Sequence, residues 1–126
     1  LGGRFTDVRG EPRNGLAQID AGGNLTSWNP NPDGEIRDIE VSGETVYVCG
    51  YFSNVGGQNR NYIAALDANT GLATDWNPNA GNGVEALAVS GNVVYASGYF
   101  TTMGGQARNC IAAIDASTGI ASTPSP

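Results

Sequence analysis

The chain has 126 residues, with 12 acidic side chains against 6 basic ones, a net charge of −6, and neither lysine nor histidine. An acidic chain lacks the basic footprint that replaces counterions on nucleic acid, and 19 glycines without a three-residue period exclude collagen. The longest apolar runs, such as residues 63–66 and 86–89, fall far short of the ~20 residues of a membrane-spanning helix, so no membrane insertion is expected.

Read in chain order, one unit recurs three times. The first copy shows only its landmarks: Phe5, Arg13 and Asp20 lie 47 residues before Phe52, Arg60 and Asp67, and Trp28-Asn29-Pro30-Asn31 closes it. The second runs Val46-Tyr47-Val48, Gly50-Tyr51-Phe52-Ser53, Gly56-Gly57-Gln58, Arg60-Asn61, Ile63-Ala64-Ala65-Leu66-Asp67, Thr70-Gly71 and Trp76-Asn77-Pro78-Asn79. The third returns at a shift of 48 as Val94-Tyr95-Ala96, Gly98-Tyr99-Phe100-Thr101, Gly104-Gly105-Gln106, Arg108-Asn109, Ile111-Ala112-Ala113-Ile114-Asp115 and Thr118-Gly119. The chain is about 18 residues short of three copies; the shortfall matches residues 36–48 and their approach, and is expected before Leu1. A first residue other than methionine points to a processed or trimmed chain.

In the third copy, residues 84–89 read as a strand, Ser90-Gly91-Asn92 as a turn and 93–100 as a β-branched and aromatic strand. Residues 103–108 read as a glycine-rich loop, 110–115 as a strand, and 120–123 as a short last strand after a turn. No stretch carries a 3.6-residue apolar period long enough for a helix. Four short strands per repeat predict the four-stranded antiparallel blade of a β-propeller. The second and third strands are apolar on both faces, with Val46, Val48 and Phe52 on one and Tyr47, Cys49 and Tyr51 on the other. Blades stacked on both sides need that pattern; a sandwich sheet would keep one polar face. The expected fold is an all-β incomplete propeller of about 2.6 repeats, one segment over residues 1–126, with blades near 1–34 (partial), 35–82 and 83–126.

The string Gly-Tyr-Phe-Thr-x-x-Gly-Gly-Gln-x-Arg-Asn, followed by Ile-Ala-Ala-(Leu/Ile)-Asp, Thr-Gly and Trp-Asn-Pro-Asn, resembles the delta-sixty-type β-propeller repeat. The resemblance implies a usually non-catalytic module, extracellular or on a bacterial cell surface, within a larger array; a similar repeat occurs in fungal cell-cortex proteins. The first copy departs from the pattern, with Asp7-Val8-Arg9-Gly10-Glu11-Pro12 in place of the Gly-Gly-Gln loop. The third ends Pro124-Ser125-Pro126 where Trp-Asn-Pro is expected.

Chemistry is sparse. Without histidine there is no ordinary base near neutral pH, and without lysine no Schiff-base nucleophile. An active site is unique, whereas Asp20, Asp67 and Asp115 recur once per repeat, so no catalytic residue and no cofactor is expected. Arg13, Arg60 and Arg108 recur beside them and are expected to tie loop carbonyls or these aspartates across neighbouring blades; an arginine ring for an anion is the alternative. Trp28 and Trp76 are expected to pack at the turn into the next blade; exposed, they would stack on glycan. Asn29-x-Asn31-x-Asp33-Gly34 with Glu40 has calcium-loop spacing, but the next copy loses both acids, so no metal is expected. Asn24-Leu25-Thr26 is a glycosylation sequon. Cys49 and Cys110 are expected as small, half-buried strand residues rather than a disulfide framework. Few charges and no lysine lean toward an extracellular protein. The reading that follows is a structural or assembly module completed by neighbouring blades or self-association, with a surface module binding glycan or protein through its loops as the alternative.

Overall fold

Alternating apolar residues bounded by turn glycines build the same unit twice. The computed structural model describes residues 2–122, and among them every regular element is a strand. The first copy contributes a small hairpin, β1 (Asp7–Val8) with β2 (Glu11–Pro12), and the isolated bridges Gly2–Leu16 and Ile19–Leu25. The second contributes β3 (Glu35–Ser42), β4 (Thr45–Tyr51), the hairpin β5 (Asn54–Val55) with β6 (Gln58–Asn59), and β7 (Ile63–Asp67). The third repeats this as β8 (Val84–Ser90), β9 (Val93–Gly98), β10 (Thr102–Met103) with β11 (Gln106–Ala107), and β12 (Ile111–Asp115).

Each full copy forms an antiparallel sheet, in the order β3-β4-β7 and β8-β9-β12. These are the blades of an all-β, incomplete propeller. The expected fourth strand shrinks to single bridges, Leu66–Ala73 and Ile114–Ala121, and Thr123 lies outside the described residues. Each bridge is flanked by two backbone hydrogen bonds: Asp67 N–H to the Leu72 carbonyl and Thr74 N–H to the Ala65 carbonyl in the second copy, and Asp115 N–H to the Ile120 carbonyl and Ser122 N–H to the Ala113 carbonyl in the third. A side chain adds to this short pairing, as described below.

The expected glycine-rich loop is a tight hairpin. Gly56 and Gly57 have φ of 61° and 78°, and Gly104 and Gly105 have 58° and 79°. Two successive positive φ values make a turn that follows strand twist, and glycine adopts them without strain. In the first copy, Arg9 and Gly10 take the same conformation at 51° and 82°, so the divergent sequence there still makes this hairpin.

The faces of the middle blade decide the packing. Val46, Val48, Ala64 and Leu66 turn toward the first copy and bury with Leu16, Trp28, Ile36, Phe52 and Val55. Tyr47, Cys49, Ile63 and Ala65 turn the other way and bury with Trp76, Val84, Leu87, Val94, Ala96, Phe100, Ala112 and Ile114. The period-2 alternation of β4 and β7 thus feeds two cores, one on each side of a single sheet.

Candidate functional site

The junctions between blades hold the recurring tryptophans. Trp28 and Trp76 are each 5% exposed. Trp28 Nε1 donates to the Asp67 carbonyl at 2.9 Å, and Trp76 Nε1 donates to the Asp115 carbonyl at 2.9 Å. Each tryptophan therefore ends one repeat and bonds to the blade of the next. The Trp76 ring also meets Tyr47 edge to face, with centroids 5.2 Å apart. Neither indole is free to stack on a sugar. Pro124, the third-copy counterpart, lies outside the described residues.

The recurring arginines act within their own repeat. Nη2 of Arg13, Arg60 and Arg108 donates to the carbonyls of Thr26, Thr74 and Ser122 at 2.9, 2.8 and 2.7 Å. Nη1 donates to the carbonyl of the preceding residue, Pro12, Asn59 or Ala107. One planar guanidinium thus clamps the hairpin to the outer segment, adding to the backbone hydrogen bonds that flank its bridge. The expected pairing with the aspartates does not occur among the described residues, nor do these arginines cross to a neighbouring blade. The carboxylates serve turns instead: Oδ1 of Asp20 accepts the N–H of Gly22 and Asn24, that of Asp67 accepts Asn69 and Thr70, and that of Asp115 accepts Ser117 and Thr118. Backbone hydrogen bonds from Thr70 and Asn69, and from Thr118 and Ser117, hold the pKa values of Asp67 and Asp115 below the usual carboxylate value.

The calcium-like stretch is occupied by its own neighbours. Asn31 Oδ1 accepts Asn14 Nδ2 at 2.7 Å, as Asn79 accepts Asn61 in the next copy. The Asp33 carboxylate accepts the backbone and side chain of both Ser53 and Asn54. Burial alone would raise its pKa, yet these bonds from Asn54 and Ser53 bring it down to about 2.

The rim of the junctions carries residues that repetition does not flag. A bulge between Ile36 and Asp38, and its counterpart between Val84 and Ala86, re-aims Arg37 and Glu85. Arg37 Nη2 lies 2.7 Å from Glu85 Oε1 across the junction, and its Nη1 lies 3.0 Å from Glu35. Arg4 pairs with Glu35, and the Tyr51 hydroxyl donates to Glu85. That bond, with some burial, pushes the Tyr51 phenol up to about 12. Asp38 Oδ2 accepts the Leu87 N–H at 2.9 Å, a further tie between blades.

The cysteines differ from expectation. Cys49 is fully buried, and burial pushes its thiol up to about 12. Cys110 is exposed, with φ of 68°, just before β12. Its repeat counterparts, Gly15 and Tyr62, share the left-handed backbone.

One face is bare. On the third blade, Tyr95, Ile111 and Tyr99 are 40%, 46% and 67% exposed. Tyr95 and Ile111 hold the repeat positions of Tyr47 and Ile63, which the third blade itself covers in the middle blade. At the opposite end an apolar groove of about 170 Å³ lies among Leu16, Ile19, Trp28, Ile39, Val41 and Val46.

A family described as "Domain of unknown function (DUF5122) beta-propeller" matches residues 44–69, the stretch from β4 through β7. No curated protein and no solved structure matches the chain. The family match covers about a fifth of the sequence and agrees with the blade geometry: the chain carries β-propeller repeats.

Proposed function

We propose that the chain is a non-catalytic structural module of a secreted or cell-surface protein, built from the delta-sixty-type repeat. Its blades are completed by neighbouring blades, or by self-association into a ring or filament. The unequal cover of equivalent faces carries this reading: Tyr47 is 6% exposed and Tyr95 40%, although both hold one repeat position. Repeat units cannot bury their apolar faces alone. Propellers close with about 4–8 blades, so two such chains would make a ring of about six. Identical open ends joined head to tail give a ring if the rotation closes and a filament if it does not. Low charge and the lack of lysine support the extracellular setting, and the engagement of Asp67 and Asp115 in turns supports a role without catalysis.

Light scattering over a concentration series, with electron microscopy of the same samples, tests it. Mass should rise with concentration toward rings or filaments, and Tyr95→Asp on the bare face should suppress the rise. A monodisperse, cooperatively unfolding monomer at micromolar concentration would overturn the reading.

A further inference from the structure

Each junction is closed at the rim by the residue at one repeat position. Between the first and second copies this is Arg4, paired with Glu35; between the second and third it is Tyr51, bonded to Glu85. Glu35 and Gly83 hold equivalent positions, as do Arg37 and Glu85. The two junctions are two matched solutions to one problem. A flexible arginine faces a residue that has a side chain, while a tyrosine ring lies over a glycine. A Cβ placed on Gly83 would run into the Tyr51 ring. Gly83 is not among the positive-φ glycines, so what a side chain here would meet is the ring, not backbone strain. Two residues on, the bulge aims Glu85 at the tyrosine hydroxyl.

The third blade presents a tyrosine again. Tyr99 stands at the Tyr51 position, 67% exposed, on the same open face as Tyr95 and Ile111. We propose that this face receives a further blade of the same repeat whose innermost strand opens Gly-x-acceptor, as Gly83-Val84-Glu85 does. The glycine seats the Tyr99 ring and the acceptor takes its hydroxyl. The inference rests on the neighbouring-blade form of the stacking reading above, since the described first copy carries no innermost strand to form the notch, and it adds which blade is chosen. A blade opening like Glu35-Ile36-Arg37 would set a side chain under the ring and a cation opposite the hydroxyl. The apolar face supplies adhesion, and the notch supplies selection by excluding the wrong neighbour. The rim charges are too solvated to be the main source of affinity.

Two fusions test this. In each, residues 123–126 are replaced by one added repeat: a second copy of residues 75–122, which carries the glycine and glutamate, or a copy of residues 27–74, which carries the glutamate and arginine. Tyrosine nitration by tetranitromethane, mapped by mass spectrometry, is read where scattering gives the mass of a single chain. The first fusion should lose Tyr99 nitration several-fold relative to the unmodified chain and melt higher. The second should leave Tyr99 reactive. Gly83→Ala and Gly83→Glu, made only in the added copy of the first fusion, should restore reactivity in that order. Equal protection of Tyr99 by both fusions would overturn the notch while leaving stacking intact. If Tyr95 and Tyr99 stay reactive in both, the stacking reading falls and the notch with it.

Discussion

Replacing Trp76 with alanine removes the largest side chain at the junction between the second and third blades. The indole is 5% exposed, packs edge to face on Tyr47 at 5.2 Å, and donates to the Asp115 carbonyl at 2.9 Å. Truncating a buried Trp to Ala costs about 3–5 kcal/mol, because transferred surface is lost and the cavity collapses only in part. The aromatic pair contributes about 0.5–1.5 kcal/mol of this. The stranded carbonyl adds about 1 kcal/mol, at the low end because it is near solvent. The expected loss is about 4–6 kcal/mol, a large share of the marginal stability of a small domain. Trp76→Phe keeps most of the packing and loses the hydrogen bond, so it should cost about 1–2 kcal/mol. Trp28→Ala should cost less than Trp76→Ala, because its cluster opens into the groove beside Ile39 and Val41, where water can replace the ring. Urea denaturation followed by circular dichroism reads all three. A Trp76→Ala loss below about 1 kcal/mol, or a reversed order of the two tryptophans, would refute the junction as the seat of stability.

Three further outcomes are expected. Arg60→Lys should destabilise by about 1–3 kcal/mol, since one ammonium cannot span the Asn59 and Thr74 carbonyls as the guanidinium does; Arg108→Lys should sit at the upper end because Arg108 is only 9% exposed, and unchanged melting in both would remove the clamp role. For Asp33, the folded pKa of about 2 lies below the ordinary 3.8, so its stabilisation is complete above pH 3.8 and is lost as pH falls through 2. Asp33→Asn should flatten that part of the acid melting curve, and superimposed curves would show that the Ser53 and Asn54 bonds contribute nothing. With a chromogenic disulfide reagent, the native chain should titrate one fast thiol, the exposed Cys110, and Cys49 only after denaturant; two fast native thiols would contradict the burial of β4.

The blade was legible because Tyr47 and Cys49 on one side, and Val46 and Val48 on the other, leave no polar face for a sandwich. The tryptophans were legible because Asn-Pro after each fixes a turn into the next repeat. The arginine and aspartate series misled on one point. Equal period shows that two residues recur together, not that they touch, and here each satisfies a different stretch of backbone. Arg37 and Glu85 escaped notice because the same repeat position carries opposite charges in successive copies; the pair exists between repeats, so no single repeat displays it. The left-handed backbone before β7 and β12 had one signal, Gly15 at the position later filled by Tyr62 and Cys110. The last strand was overread because Leu72 and Ile120 lend the segment apolar character yet stay exposed, while only the alanine after each, Ala73 or Ala121, forms a bridge.

Tyr47 and Tyr95 occupy one repeat position and differ in whether a blade covers them, so their relative accessibility tests face-to-face blade stacking directly. In dilute unmodified chain, nitration should modify Tyr95 and Tyr99 readily and spare Tyr47, whose phenol burial both hides and holds above its ordinary pKa. Equal reactivity of Tyr47 and Tyr95 in the folded, single-chain state would contradict it.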